Sequence, residues 1–212
     1  LLYGDAISKM YYSAVVREKS PGIADKLKKE YLDKAIPCIE KKDITKLLKT
    51  LEEAATKFNE ATTDKKAPRV GIVGEIFIKY NSFGHQHVVD WLIKQGIEPV
   101  IPPLIEFFTQ YFPNAKFNES CFLNESRSIK EKLFTLIGEN MMNRIERKID
   151  KAASKYRYYE GFENIHDAAK SAEKIISLAA QFGEGWLIPA EFASFAERGI
   201  NFAISLQPFG CI

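Results

Sequence analysis

The chain has 212 residues, 46% of them hydrophobic and 27% charged, with a formal net charge of +2. That length holds one large domain or two small ones and buries a core without covalent staples. The charge balance excludes a nucleic-acid reader, which needs a concentrated basic patch; the nearest group, Lys26, Lys28 and Lys29, reads as a solvated helix face.

The three cysteines are Cys38, Cys121 and Cys211, with no CxxC spacing among them. Such a set is neither a disulfide framework nor a zinc site built within the chain, and it predicts a reducing compartment. No apolar run is long enough to span a bilayer and no secretory leader is present, so a cytoplasmic chain with no membrane partner is expected. Leu1-Leu2-Tyr3-Gly4 is already in apolar pattern, and Cys211-Ile212 follows a strand-like run directly. A segment of a longer protein is therefore expected.

In chain order, Ile7, Met10, Tyr11, Ala14 and Val15 recur at helical spacing, and Ser20-Pro21-Gly22 ends that element. A second helix carries Ala24, Leu27, Tyr31 and Leu32 and should end or kink at Pro37. Asp43 can cap a third, whose Ile44, Leu47, Leu48, Leu51, Ala55 and Phe58 share one face. The polar stretch Thr62 to Lys66 reads as a linker. It divides a helical N-terminal section, 1–66, from an α/β domain, 67–212, truncated at its C-terminal end.

The nearly continuous apolar run from Val70 to Ile78 predicts a strand buried on both faces, as in a parallel sheet. A helix with Val88, Val89, Leu92 and Ile93 follows and stops at Gly96. Glu98 to Pro103 reads as a short strand, which completes a strand–helix–strand unit. Leu104 to Tyr111 is aromatic-rich and helical in pattern, and the Asn-rich stretch from Pro113 to Glu125 reads as a loop. A long helix then carries Ile129, Leu133, Ile137, Met141, Ile145 and Ile149. Further helices are predicted over 168–181 and 191–198, with Gly183-Glu184-Gly185 between them, before a last strand from Phe202 to Leu206. The fold class predicted is α/β, with a parallel, Rossmann-like sheet flanked by helices and a helical N-terminal section.

In open α/β sheets ligands bind beyond the carboxyl ends of the strands. Lys79 to Gly84, Pro102-Pro103 and Gln207 to Cys211 occupy that position here. Cys211, after Pro-Phe-Gly, can ligate a metal or act as a nucleophile; a buried, inert thiol is the plainer alternative. Gly71 to Glu75 lacks the G-x-G-x-x-G fingerprint, and its glycines lie inside the strand, where they permit close backbone approach. His85 and His87 point different ways on a helix start, which suits a surface or capping role better than a shared metal. Glu184 is either an acid–base group or part of a glycine-flanked turn anchored by Trp186. Tyr156, Tyr158 and Tyr159 read as packing residues.

Four segments in order resemble one family: Arg69 to Asn81, Glu98 to Leu104, Gly183 to Leu187, and Leu206 to Cys211. They look like the dehydratase-like part of the CoA-substrate-specific enzyme activases, which are related to the 2-hydroxyacyl-CoA dehydratases and their activators. The resemblance implies an iron–sulfur protein of anaerobic metabolism. In that family an ATP-hydrolysing module delivers a low-potential electron to a cluster, of the 4Fe–4S kind, in a dehydratase-type component. It implies that Cys211 is a cluster ligand in the complete protein, and that Glu75, Tyr80, Asn81, Glu184, Trp186 and Gln207 shape the neighbouring pocket. Catalytic residues are not assigned. Pro189 stands where relatives carry a helix-capping Thr. A cubane cluster commonly takes four cysteines, so its other ligands would lie beyond this chain. No phosphate-binding glycine motif is present either, so an ATPase module and a dehydratase subunit are the expected partners. Neither an intact cluster nor a complete reaction is expected of this segment alone. The rival reading is a non-catalytic scaffold that binds a partner through its helices; a third is a small-molecule module at the strand ends.

Overall fold

A computed structural model describes residues 1–123 and 128–210. Cys211 lies outside the described residues. The chain is mixed α/β, mostly helical with a small three-stranded sheet, and a helical N-terminal section is present. It forms two compact units, each assembled from three separate stretches of sequence.

The first unit comprises Leu1–Val70, Val88–Pro103 and Glu146–Phe162. Helix α1 (Leu2–Val15) buries Ala6, Ile7, Met10 and Ala14 almost completely. Helix α2 (Ile23–Glu40) follows Gly22, whose φ of +80° suits glycine. The Glu18 carboxylate accepts from Gly22 N and Ala24 N. Pro37 does not end α2 at once: the helix runs three residues past it, at the loss of the one backbone bond that Pro37 cannot donate. Asp43 caps helix α3 (Ile44–Ala61), its carboxylate accepting from Lys46 N at 2.9 Å. The helix buries Leu51, Ala54, Ala55 and Phe58 against its neighbours, while Ile44 stays exposed.

Strand β1 (Arg69–Gly74) begins in this unit, and strand β2 (Glu98–Val100) packs against α1 and helix α5 (Val88–Lys94). Glu98 is buried at the centre of a charge network. Arg17 pairs with it at 2.8 Å and donates to Ser13 O and Lys65 O. Arg69 lies 3.7 Å from it and pairs with Glu160 at 2.6 Å. The Tyr158 ring lies under the Arg17 guanidinium, 4.5 Å from its centroid. The buried charges are tolerated because Arg17 is met by Glu98 and by two carbonyls, and Glu98 by two guanidinium groups.

The second unit comprises Gly71–His87, Leu104–Ile145 and Glu163–Ile212. Here β1 pairs in parallel with strand β3 (Ala203–Leu206), Gly71 opposite Ala203 and Gly74 opposite Leu206; the strand order is β2–β1–β3. The predicted strand to Ile78 stops at Gly74. Gly74 has φ +127°, and a Cβ there would lie 2.0 Å from Leu206 O. Glu75 then caps the one-turn helix α4 (Ile76–Lys79), accepting from Ile78 N.

Of the stretch read as a loop, residues 113–120 are helical, and 124–125 lie outside the described residues. Short α6 (Ile105–Thr109) leads into α7 (Tyr111–Ser120), with Pro113 in its first turn. Packing against α9 (Ile165–Glu173) supplies what an Asn-rich sequence of weak propensity lacks. The long helix α8 (Ile129–Ala153) runs from this unit into the first. Helix α9 starts earlier and ends sooner than predicted. Asn164 caps it through His166 N, and turns replace its expected continuation. It packs on α10 (Leu187–Glu197), and Ile165, Ala168, Ala169, Ala172, Trp186, Leu187 and Ala190 form the core between them.

Candidate functional site at the carboxyl end of the parallel strands

Two glycines of β1 set the geometry. A Cβ on Gly71 would fall 2.2 Å from the Phe195 ring, so the strand lies directly on α10. At Gly74 the backbone turns beneath Leu206, and Glu75 N donates to Leu206 O at 2.9 Å. The ends of the two parallel strands are thereby tied together. Glu184 comes from the glycine-flanked turn, where a Cβ on Gly185 would lie 2.4 Å from Ala180 O. Its buried carboxylate accepts from Ile76 N, the first amide of α4, at 2.6 Å. An acidic group at this place satisfies an amide that has no partner within the helix.

One turn further, Lys79 and Glu191 form an ion pair at 2.6 Å, with side chains 4% and 2% exposed. Glu191 Oε1 accepts from Lys79, and Glu191 Oε2 has no hydrogen-bond partner. Burial pushes the Glu191 carboxyl up to about 7, the Lys79 ammonium opposes this, and Glu184 and Glu163 add to it. Ser194, one turn along α10, donates to Glu163. With the half-buried Glu163 held by Ser194 one turn along α10, two buried carboxylates and one ammonium thus share the interior beside the strand ends. Such a carboxyl can hold or release a proton near neutrality, but its enclosure keeps it from direct contact with a substrate.

The residues predicted to shape a pocket are distributed as follows. Glu75 and Glu184 meet on α4, one accepting from Ile78 N and the other from Ile76 N. Tyr80 follows α4, its ring 5.4 Å from Lys79 Nζ. Asn81 Oδ1 accepts from Phe83 N and Gly84 N, both at 3.1 Å, and holds the loop after α4 in a tight turn. Gln207 is exposed, its amide donating to Ser205 Oγ at 3.3 Å. Trp186 is fully buried, and its indole N–H donates to Asn114 Oδ1 at 2.6 Å, so it anchors the α9–α10 core. His85 is buried with Nδ1 unpartnered, whereas His87 is exposed at φ +58°. Pro102-Pro103 belongs to the other unit. The sequence places Lys79 in a strand-end segment without its partner, and it does not single out Glu191, Glu163 or Ser194. The available signal was a single charge inside each of two apolar stretches, Ile76-Phe77-Ile78-Lys79 and Leu187 to Phe195.

As to metals, Cys38 is buried on α2 with its thiol 3.5 Å from Lys34 O, and Cys121 is exposed after α7. Among the described residues no three His, Cys, Asp or Glu side chains come together to hold a metal ion. These residues by themselves do not fit an iron–sulfur cluster. No helix among them is long and apolar enough to cross a membrane. No family model, curated protein or solved structure matches the chain.

Proposed function

We propose that the chain is part of a CoA-substrate-specific enzyme activase related to the 2-hydroxyacyl-CoA dehydratases, contributing its Rossmann-like, dehydratase-type segment. In this reading the complete protein carries an iron–sulfur cluster that takes part in electron transfer, Cys211 is one of its ligands, and an ATPase module and a dehydratase subunit are its partners. The observation that supports it is the meeting of three of the four family-like segments. Gly74 and Leu206 are paired in one sheet, Glu75 N binds Leu206 O, and Glu184 binds Ile76 N. Segments far apart in sequence thus converge at the carboxyl end of parallel strands, where α/β sheets bind ligands. The remaining cluster ligands belong to residues beyond those described, and no chemical step is assigned to the cluster.

The test is an iron and sulfide assay on the full-length parent purified without oxygen, with and without Cys211→Ala. Iron in the wild type and its loss in the variant support the reading. An iron-free parent, or a variant that keeps its full iron, removes it. The second reading, a non-catalytic partner-binding scaffold, is favoured by one observation: the N-terminal half of α8 leaves a row of apolar side chains exposed.

A further inference from the structure

Six apolar side chains between Ile129 and Met141 are each more than half exposed, from Leu133 at 55% to Ile129 at 85%. The half-buried residues of the same stretch are Thr135, Gly138 and Glu139. This half of α8 thus turns its polar and small side inward, the reverse of a stably packed amphipathic helix. No residue from 128 to 148 is buried, whereas Ile149, Ala152 and Ala153 are. Burial of apolar surface therefore anchors the C-terminal end of α8 and contributes little to its N-terminal half.

Polar contacts tie this half to its neighbours. Glu139 meets His166 Nε2 of α9 at 2.6 Å, both side chains half-buried, and Lys132 pairs with Glu119 of α7, both exposed. Contacts this open to water contribute little each. The half is nevertheless built to be helical. Ser128 N donates to Glu131 Oε2 at 2.8 Å and Glu131 N to Ser128 Oγ at 3.3 Å, a reciprocal cap on the first turn. Gly138 works the other way. Glycine is the poorest helix former after proline, and nothing lies within 4 Å of where its Cβ would be, so no close contact requires it. Without tertiary support a helix of this length is marginal in water.

We infer that residues 129–145 form a strap that switches between helix and coil, latched in the helical state by Glu139 on His166 and by Lys132 on Glu119. The switch acts on an open groove of about 1140 Å³ between α7 and the first turns of α8. One wall, with Tyr111, Asn114 and Asn118, is fixed, because α7 packs on α9. The other wall, with Glu131, Lys132, Phe134 and Thr135, belongs to the strap. The groove therefore exists while the strap is helical and disappears when it melts, so that occupancy of the groove and order of the strap are linked. The strap goes beyond the cluster reading and does not depend on Cys211.

Hydrogen exchange, read by mass spectrometry on the full 212-residue chain, tests the strap. Amides of 129–145 are expected to exchange at least about a hundredfold faster than those of 168–172 in the α9–α10 core, yet more slowly than an unstructured chain. Glu139→Ala and Lys132→Ala each release a latch and speed this exchange about twofold, although alanine is the better helix former at both places. Gly138→Ala slows it about fivefold. Amides of 111–120 in α7 keep their protection in all three variants. Protection of 129–145 equal to that of the core, or none at all, overturns the proposal. So does slower exchange in both latch variants, which would show that propensity alone sets the helix. Unchanged exchange in Gly138→Ala, or exchange of 111–120 in step with 129–145, overturns it as well.

Discussion

Lys79 and Glu191 show how much one pair of side chains determines at the strand ends. A Glu whose pKa rises from 4.5 to about 7 on folding keeps its proton in the native chain after the unfolded chain has lost it. The stability it contributes is full below about 4.5 and is lost as pH rises through about 7. Glu191→Gln is therefore expected to flatten the fall in stability across that window, measured by urea unfolding at several pH values. Lys79→Met leaves an ionised carboxylate buried without a counter-charge. It should cost about 3–5 kcal/mol near pH 8 and less near pH 5, and Lys79→Met with Glu191→Leu should recover most of the loss. Equal costs at both pH values would show that Glu191 does not ionise in this interior. Part of this site was legible in the sequence: the glycines on either side of Glu184 mark the turn that carries it, but nothing local shows that its carboxylate reaches Ile76 N or that Asn81 closes its own loop. The ion pair was not legible, because its partners are 112 positions apart and each stretch taken alone reads as core with one stray charge.

Among the elements, the N-terminal helices were read closely because period, cap and stop agree there: the Asp43 side chain and the conformation of Gly22 both do what their types predict. The end of β1 was not. Val70 to Ile78 is apolar throughout, and only the approach of Leu206 explains why the strand turns at Gly74 and becomes helix. That approach gives a direct test. Gly74→Ala sets a Cβ against a backbone oxygen at an unfavourable φ. It is expected to destabilise the second unit by more than about 3 kcal/mol, whereas an alanine at Gly4, which meets nothing, should change little. Differential scanning calorimetry of the two variants separates these outcomes. Helix α7 was missed for a related reason: its hydrogen bonds are local, but its stabilisation comes from α9, fifty residues on in the chain. The apolar ladder of α8 was visible, but a periodic pattern says that a face is apolar and not what lies on it.

For the molecule as a whole, the helical section before the polar stretch at 62–66 packs with later segments of the first unit. Lys9 donates to Gly161 O, Ser13 to Tyr156, and Arg17 holds Glu98, all within the first unit. Excising residues 1–66 is expected to strip β2 and the segment 146–162 of their packing. The remainder should lose its near-ultraviolet circular dichroism and bind a hydrophobic dye; a cooperative unfolding transition in that remainder would count against this account. No local pattern could reveal which distant stretches return to which unit, since the chain passes between them five times, the first within β1. That weaving sets an order during synthesis. The first unit has its last segment once Phe162 has left the ribosome, whereas β1 must wait for Ala203 to Leu206 before its second edge is paired. Until then the growing chain presents an unpaired strand edge of apolar residues, the kind of template on which neighbouring nascent chains associate. Nascent chains halted short of position 203 are thus the ones expected to associate through that edge.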